Sequence, residues 1–127
     1  MTAGTHGSTY GGNPLGCAVG SAVMDIVSDP GFLAEVNRKA GLLRQKLEGL
    51  IAAHPDVFDS VRGSGLMLGI KCKATNTDIV SAGYAQQVLT VPAADNVIRL
   101  LPPLTITDEE IAEAVARLDA AAQSLAA

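Results

Sequence analysis

A chain of 127 residues, 48% hydrophobic and only 3% aromatic, is long enough for one aliphatic core and short for a complete large-cofactor enzyme. Nine basic residues against thirteen acidic ones leave a net charge of −4, which argues against nucleic acid or an anionic membrane as the main partner. No apolar run approaches the roughly 18 residues of a membrane span, and the N-terminus shows neither a basic start nor a hydrophobic signal core, so a cytoplasmic location is expected.

The first informative stretch is His6-Gly7-Ser8-Thr9-Tyr10-Gly11-Gly12-Asn13-Pro14. Its glycines allow tight turning and close approach to a ligand. Ser8 and Thr9 offer two adjacent hydroxyls, and Asn13-Pro14 reads as an N-cap followed by a first helical residue. A polar loop running into a helix N-terminus suits an anion such as phosphate. The same residues also read as a glycine turn that caps the helix, with His6 in a turn role. A Walker-type loop is excluded because no lysine follows the glycines. A nucleophile elbow is excluded because Ser8 lacks the Gly-x-Ser-x-Gly frame.

Residues 15–27 are apolar around most of a helical circumference, which predicts a buried helix broken by Asp29-Pro30-Gly31. Phe32, Leu33, Val36, Ala40, Leu43, Leu47, Leu50 and Ile51 recur at steps of three and four, marking one face of a second helix. The opposite face carries Glu35, Arg38, Lys39, Arg44, Lys46 and Glu48 and reads as solvated. His54-Pro55 ends this helix, with His54 a terminal polar residue rather than a ligand.

Strands are predicted over 57–62 and 66–71, joined by a turn at Gly63-Ser64-Gly65. The run Leu66-Met67-Leu68-Gly69-Ile70 lacks alternation, as in a strand covered on both faces. A weaker helix over 77–87 contains Gly83, which costs about 1 kcal/mol relative to alanine. Two further strands, 88–91 and 96–101, flank turn residues 92–95, and Pro102-Pro103 stops the second. Thr107-Asp108-Glu109-Glu110 fits a capping box, followed by the stripe Ile111, Val115, Leu118, Ala122 and Leu125 and a frayed Ala-rich end. The order gives an α+β layer of helices on a small, mostly antiparallel sheet.

Cys17 and Cys72 lie far apart in apolar surroundings and read as two buried thiols of a reducing compartment, with one long-range disulfide as the alternative. No Cys or His spacing suits zinc, so no metal site is expected. Arg99 is the second candidate for ligand chemistry after the Ser8-Thr9 loop. A guanidinium within the apolar run Val97-Ile98-Arg99-Leu100-Leu101 is costly to bury without an anion, and its fork suits a carboxylate. A solvent-facing edge arginine, or one paired to a structural carboxylate, is the alternative. Arg62 reads as a charged strand terminus. Lys71 is rejected as a cofactor-bonding lysine because Lys71-Cys72-Lys73 reads as a strand running out into solvent.

Three segments in this order, the His6–Pro14 loop, Val61-Arg62-Gly63-Ser64-Gly65-Leu66-Met67-Leu68-Gly69 and Asn96-Val97-Ile98-Arg99-Leu100-Leu101-Pro102-Pro103-Leu104, resemble motifs of the class-III aminotransferases that use pyridoxal 5′-phosphate. The resemblance covers nearly the whole chain, and within the family it is greatest to the branch acting on N2-acetylornithine. It implies the C-terminal small domain of a fold-type-I enzyme, with residues 1–28 as cofactor-phosphate loop and inter-domain helix and 29–127 as the small α/β domain. It further implies that Thr9 binds the cofactor phosphate of the neighbouring subunit in a homodimer. Ser8 would lie at the substrate, and Arg99 would hold the substrate α-carboxylate, principally that of 2-oxoglutarate or glutamate. The activity implied is amino-group transfer between N2-acetylornithine and 2-oxoglutarate in arginine biosynthesis.

Ornithine, succinyl-ornithine and 4-aminobutyrate are alternative amino donors, and a non-catalytic interaction or phosphate-binding module is the alternative of another class. In the family the cofactor-bonding lysine, the Asp at the pyridine nitrogen and the ring-stacking aromatic precede the loop. The chain is therefore expected to be the C-terminal portion of such an enzyme, without a catalytic residue of its own and inactive alone. The stretch Ala82-Gly83-Tyr84-Ala85-Gln86-Gln87-Val88 departs from the family, whose helix runs uninterrupted to a glycine.

Overall fold

The computed structural model describes Gly4 and residues 7–126, which leaves His6 outside the described residues. The chain forms two compact units, Met1–Ala34 and Glu35–Ala127.

In the first unit, the Tyr10 carbonyl accepts a hydrogen bond from the Asn13 amide at 3.3 Å, closing a turn in which Gly12 takes φ +76°. Helix α1 (Pro14–Val27) starts directly after it, capped by the Asn13 side chain, which accepts from the Gly16 amide at 2.8 Å. Ser28 closes α1, and the Asp29 carboxylate accepts from the Phe32 amide at 2.8 Å to start the next helix, with Pro30 at its first position. The expected burial of the first helix is overturned, because α1 buries none of its residues. Apolar composition around a whole circumference records a preference for cover without saying what supplies it.

Helix α2 (Pro30–Ala53) turns Ala40, Leu43, Leu47 and Leu50 inward, as its period requires. Strands β1 (Phe58–Ser64), β2 (Met67–Cys72), β3 (Val91–Ala93) and β4 (Val97–Leu100) form one antiparallel sheet in the order β1-β2-β4-β3. Helices α3 (Asn76–Ala85) and α4 (Asp108–Ala126) complete the unit. The fold is α+β, as expected from the sequence.

One face of the sheet, built by Leu68, Ile70, Cys72, Ile98 and Leu100, joins the helical Leu43, Leu47, Ile79, Ile111 and Leu118 in a single core. Each fully buried aliphatic of this set stabilises the fold by about 1.5–3 kcal/mol. The opposite face bears Arg62, Met67, Gly69 and Arg99 and is not covered on both sides as the apolar run suggested: Met67 is exposed.

Several boundaries move for identifiable reasons. The β1–β2 turn is the residue pair Gly65 and Leu66, with Gly65 at φ +55°, while Gly63 stays in β1. Gly63 takes φ +120°, and a Cβ there would stand 2.2 Å from the Met67 carbonyl oxygen. That glycine serves strand pairing, not the turn.

Helix α3 ends in a Schellman closure: the Val88 amide donates to the Gly83 carbonyl at 2.9 Å and the Gln87 amide to the Tyr84 carbonyl at 3.0 Å. Gln87 occupies the left-handed position, φ 59°, that glycine ordinarily fills. This closure turns residues 88–90 out of any ladder, so the strand expected over 88–91 becomes β3, an edge strand that tolerates Pro92. In α4 the capping box forms, with the Glu110 amide donating to Thr107 Oγ1 at 3.2 Å and the Thr107 amide to Glu110 Oε2 at 2.8 Å. The helix then runs to Ala126.

Candidate functional site

Ser8 and Thr9 stand side by side, both exposed, at the start of the turn that leads into α1. Among the described residues a side chain at Gly7 or Gly12 would meet nothing within 4 Å, whereas a Cβ at Gly11 would stand 3.1 Å from Ser8 Cβ and 3.4 Å from its Oγ, so the loop is open on one side and closed by Gly11 on the other. The first turn of α1 carries no acidic residue. Two hydroxyl donors, an open glycine-flanked backbone and the positive end of a helix without a competing carboxylate fit a phosphate.

Arg99 belongs to the second unit. The register aligns Arg62 of β1, Gly69 of β2 and Arg99 of β4 in one row across the outer face of the sheet. Together with Met67, Ala93 and Val97 they line an open groove. Gly69 forms part of its floor because a Cβ there would stand 2.9 Å from Val97 Cγ1. Arg99 is exposed, and among the described residues its side chain makes no hydrogen bond or ion pair. Of the alternatives left open by the sequence, pairing to a structural carboxylate is not what the described residues show; Arg99 faces solvent, from an inner strand and not an edge, so the burial cost that singled it out does not apply.

The neighbouring cations are committed. Asp95, in the β3–β4 turn, accepts from Arg62 Nη1 at 3.0 Å through Oδ2 and from Lys71 Nζ at 2.7 Å through Oδ1. The Lys71 ammonium first, and the Arg62 guanidinium after it, hold the Asp95 carboxyl below its ordinary range. Neither residue is the plain strand terminus that the sequence suggests. Lys71 is 30% exposed and bound back onto the sheet, rather than running out into solvent.

Asn96 holds this arrangement in place. Asp95 and Asn96 both adopt left-handed backbone, φ 62° and φ 50°. The Asn96 side chain donates to the Cys72 and Ala74 carbonyls, each at 2.8 Å, and accepts from the Asn76 amide at 2.8 Å. It thereby caps α3, whose own N-cap residue Thr75 makes no side-chain bond. Asn76 Nδ2 reciprocates on the Ala93 and Val97 carbonyls, each at 3.0 Å. The available signal was the Asp-Asn pair at a turn, two residues that tolerate left-handed backbone.

Other polar residues prove structural. Arg38, expected on a solvated face, donates to both Glu35 and Asp108 and ties α2 to the start of α4. His54 Nε2 lies 2.6 Å from Asp119 Oδ1, with its ring edge-on to Phe58. Both thiols are free. Cys72 is buried, and that burial pushes its thiol up, whereas Cys17 is exposed on the uncovered α1, against expectation. Among the described residues no group of three His, Cys, Asp or Glu is placed to hold a metal ion. No single described helix is long and apolar enough to cross a membrane.

Residues 1–122 match the family model of the class-III aminotransferases, and the chain belongs to that family. It is similar to the acetylornithine aminotransferase of Rhodobacter capsulatus, 69% identical over 98% of this chain and 32% of that protein. Among solved structures, the N-acetylornithine aminotransferase of Stenotrophomonas maltophilia superposes with a TM-score of 0.82 at 34% identity, over 91% of this chain and 32% of that one. The ornithine aminotransferase of Toxoplasma gondii, which holds PLP at partial occupancy in its active site, gives a TM-score of 0.81 at 30% identity over 98% of this chain and 30% of that one. The chain thus spans about a third of the length of the relatives it matches.

Proposed function

We propose that this chain supplies the carboxylate seat and part of the phosphate seat of a pyridoxal-phosphate-dependent aminotransferase acting on N2-acetylornithine and 2-oxoglutarate. The observation that carries the reading is the uncommitted guanidinium of Arg99, exposed in a groove whose other cation, Arg62, is already paired. The 69% identity to an acetylornithine aminotransferase supports the choice of amino donor.

In this reading residues 1–28 carry the loop and inter-domain helix, and residues 29–127 form the small domain. Thr9 donates to the cofactor phosphate of the neighbouring subunit, Ser8 lies beside the substrate, and Arg99 grips the α-carboxylate with two parallel hydrogen bonds. The rigid Pro102-Pro103 segment after β4 limits where the strand bearing Arg99 can move. When bound, the cofactor supplies the electron sink that makes amino transfer possible. The protein's own part is to hold phosphate and carboxylate at fixed places, so that the reacting carbon is oriented before chemistry begins.

A homodimer sharing its active sites, in the cytoplasm, completes the proposal. The uncovered Leu15, Val19, Val23, Met24 and Ile26 of α1 favour association.

The test is a titration of the 127-residue chain with 2-oxoglutarate, followed by amide chemical shifts because the chain has no tryptophan. Shifts are expected at Gly69, Val97 and Arg99 and should vanish in Arg99→Gln. Thr9→Ala should weaken binding of inorganic phosphate. Shifts that persist in Arg99→Gln refute the carboxylate assignment, and turnover of N2-acetylornithine by these 127 residues alone refutes the proposed division of labour.

A further inference from the structure

The outer face of the sheet holds three cations and one carboxylate at close quarters. Arg62 and Arg99 flank Gly69 in one cross-strand row, so their Cα atoms lie two strand spacings, about 9.6 Å, apart. Gly69 puts no side chain between them, and both side chains line the same groove. Lys71 follows on the same face of β2, in register with Val97. Left unpaired, Arg62 and Arg99 would offer a dicarboxylate one guanidinium for each end.

Asp95 removes that option. Each of its two carboxylate oxygens is taken by a different cation, Oδ2 by Arg62 and Oδ1 by Lys71. The Asp95 carbonyl also accepts from Lys71 Nζ at 2.5 Å. The turn presenting Asp95 is not free to swing away, because the next residue, Asn96, is fastened to Cys72, Ala74 and Asn76.

We propose that Asp95 is a specificity-determining residue that sets the number of carboxylates the groove accepts. By holding Arg62 and Lys71, it leaves Arg99 as the one cation available to a ligand and makes this end of the site a seat for a single carboxylate. The inference rests on the assignment of Arg99 as that seat. Specificity of this kind arises by withholding an attractive group, not by adding a repulsive one. The amino donor and the keto acid then both present one carboxylate here, whatever their other ends carry.

The experiment titrates the 127-residue chain at low salt with butyrate and with glutarate, followed by amide shifts at Gly69 and Val97. Wild type should bind the two within about twofold of each other, since only one carboxylate is gripped. Asp95→Asn should strengthen glutarate about fivefold while moving butyrate by no more than about twofold, the effect of releasing Arg62, with Lys71 beside it, from a carboxylate near the protein surface. Adding Arg62→Gln to Asp95→Asn should bring the ratio back most of the way to wild type, the remainder reflecting Lys71 without its carboxylate partner. Arg62→Gln in the wild-type background should weaken glutarate and butyrate alike, leaving their ratio within about twofold of wild type, and this arm tests the idea even if Asp95→Asn unfolds the chain.

An unchanged glutarate-to-butyrate ratio in Asp95→Asn overturns the proposal, as does a loss of glutarate binding in Arg62→Gln that butyrate does not share. Arg99→Gln separates this failure from that of the underlying reading. If carboxylate binding survives that substitution, the seat itself is misassigned. If binding is lost while Asp95→Asn has no effect, only the role of Asp95 falls.

Discussion

Replacing Asn96 by alanine removes the side chain that joins β2, β4 and α3. Three hydrogen bonds disappear, to the Cys72 carbonyl, the Ala74 carbonyl and the Asn76 amide, each 2.8 Å long. At about 1 kcal/mol apiece, they account for roughly 3 kcal/mol. Alanine must also adopt the left-handed backbone that Asn96 occupies at φ 50°, adding up to about 1 kcal/mol. The expected loss is therefore about 3–4 kcal/mol, read as a fall of about 2 M in the midpoint of urea unfolding for a slope near 1.5 kcal/mol/M.

Two companions divide the effect between its causes. Asn96→Gly keeps the loss of hydrogen bonds but relieves the backbone, so it should be about 1 kcal/mol milder than alanine. Asn96→Asp can still accept from the Asn76 amide but sets a carboxylate against two carbonyl oxygens, and it should be at least as harmful as alanine. A loss below about 1 kcal/mol for alanine, or a tolerated aspartate, would show that the amide does not bridge these elements as argued.

Gly63→Ala should destabilise by about 3 kcal/mol or more, because its Cβ would meet the Met67 carbonyl oxygen at 2.2 Å in the β1–β2 ladder; loss of cooperative thermal unfolding would register it. Gln87→Gly should stabilise by about 0.5–1 kcal/mol, measured as a raised urea midpoint, since Gln87 holds the left-handed C′ position at φ 59°. Acid should weaken the fold through Asp95, Asp108 and Glu35, whose carboxyls lie below their ordinary values of 3.8, 3.8 and 4.5. Hydrogen bonds from Lys71 to Asp95, and from Arg38 to Asp108 and to Glu35, are the leading causes. A group depressed by folding stabilises above its unfolded pKa, so this contribution is complete above about pH 5 and disappears as the pH falls through and below 4. Thermal midpoints from pH 6 to pH 2 should fall across that window, and by less at high salt, where these exposed pairs are screened.

Elements set by short-range pattern were legible in the chain. The spacing of Leu43, Leu47 and Leu50 and the reciprocal Thr107–Glu110 cap are decided within a few residues, and both appear as read. Arg99 stood out as a lone guanidinium among Val97, Ile98, Leu100 and Leu101, but its exposure on the outer face of the sheet was not legible. Partners far along the chain were not. Arg38 meets Asp108, 70 residues on, and His54 meets Asp119, 65 residues on, so each read as a plain surface or terminal residue. Gly63 was misallotted to the turn because it and Gly65 look alike until strand pairing brings the Met67 carbonyl against one of them.

By itself the sequence determined the helices, the antiparallel α+β layer and the two groups that suit phosphate and carboxylate, since periodicity, caps and residue chemistry are local properties. Only the tertiary structure decided that Asp95 takes up Arg62 and Lys71 while Arg99 stays uncommitted. A cation's availability depends on which carboxylate the fold carries to within hydrogen-bonding distance, and the β4 register that aligns Arg99 with Gly69 is set by strands distant in sequence.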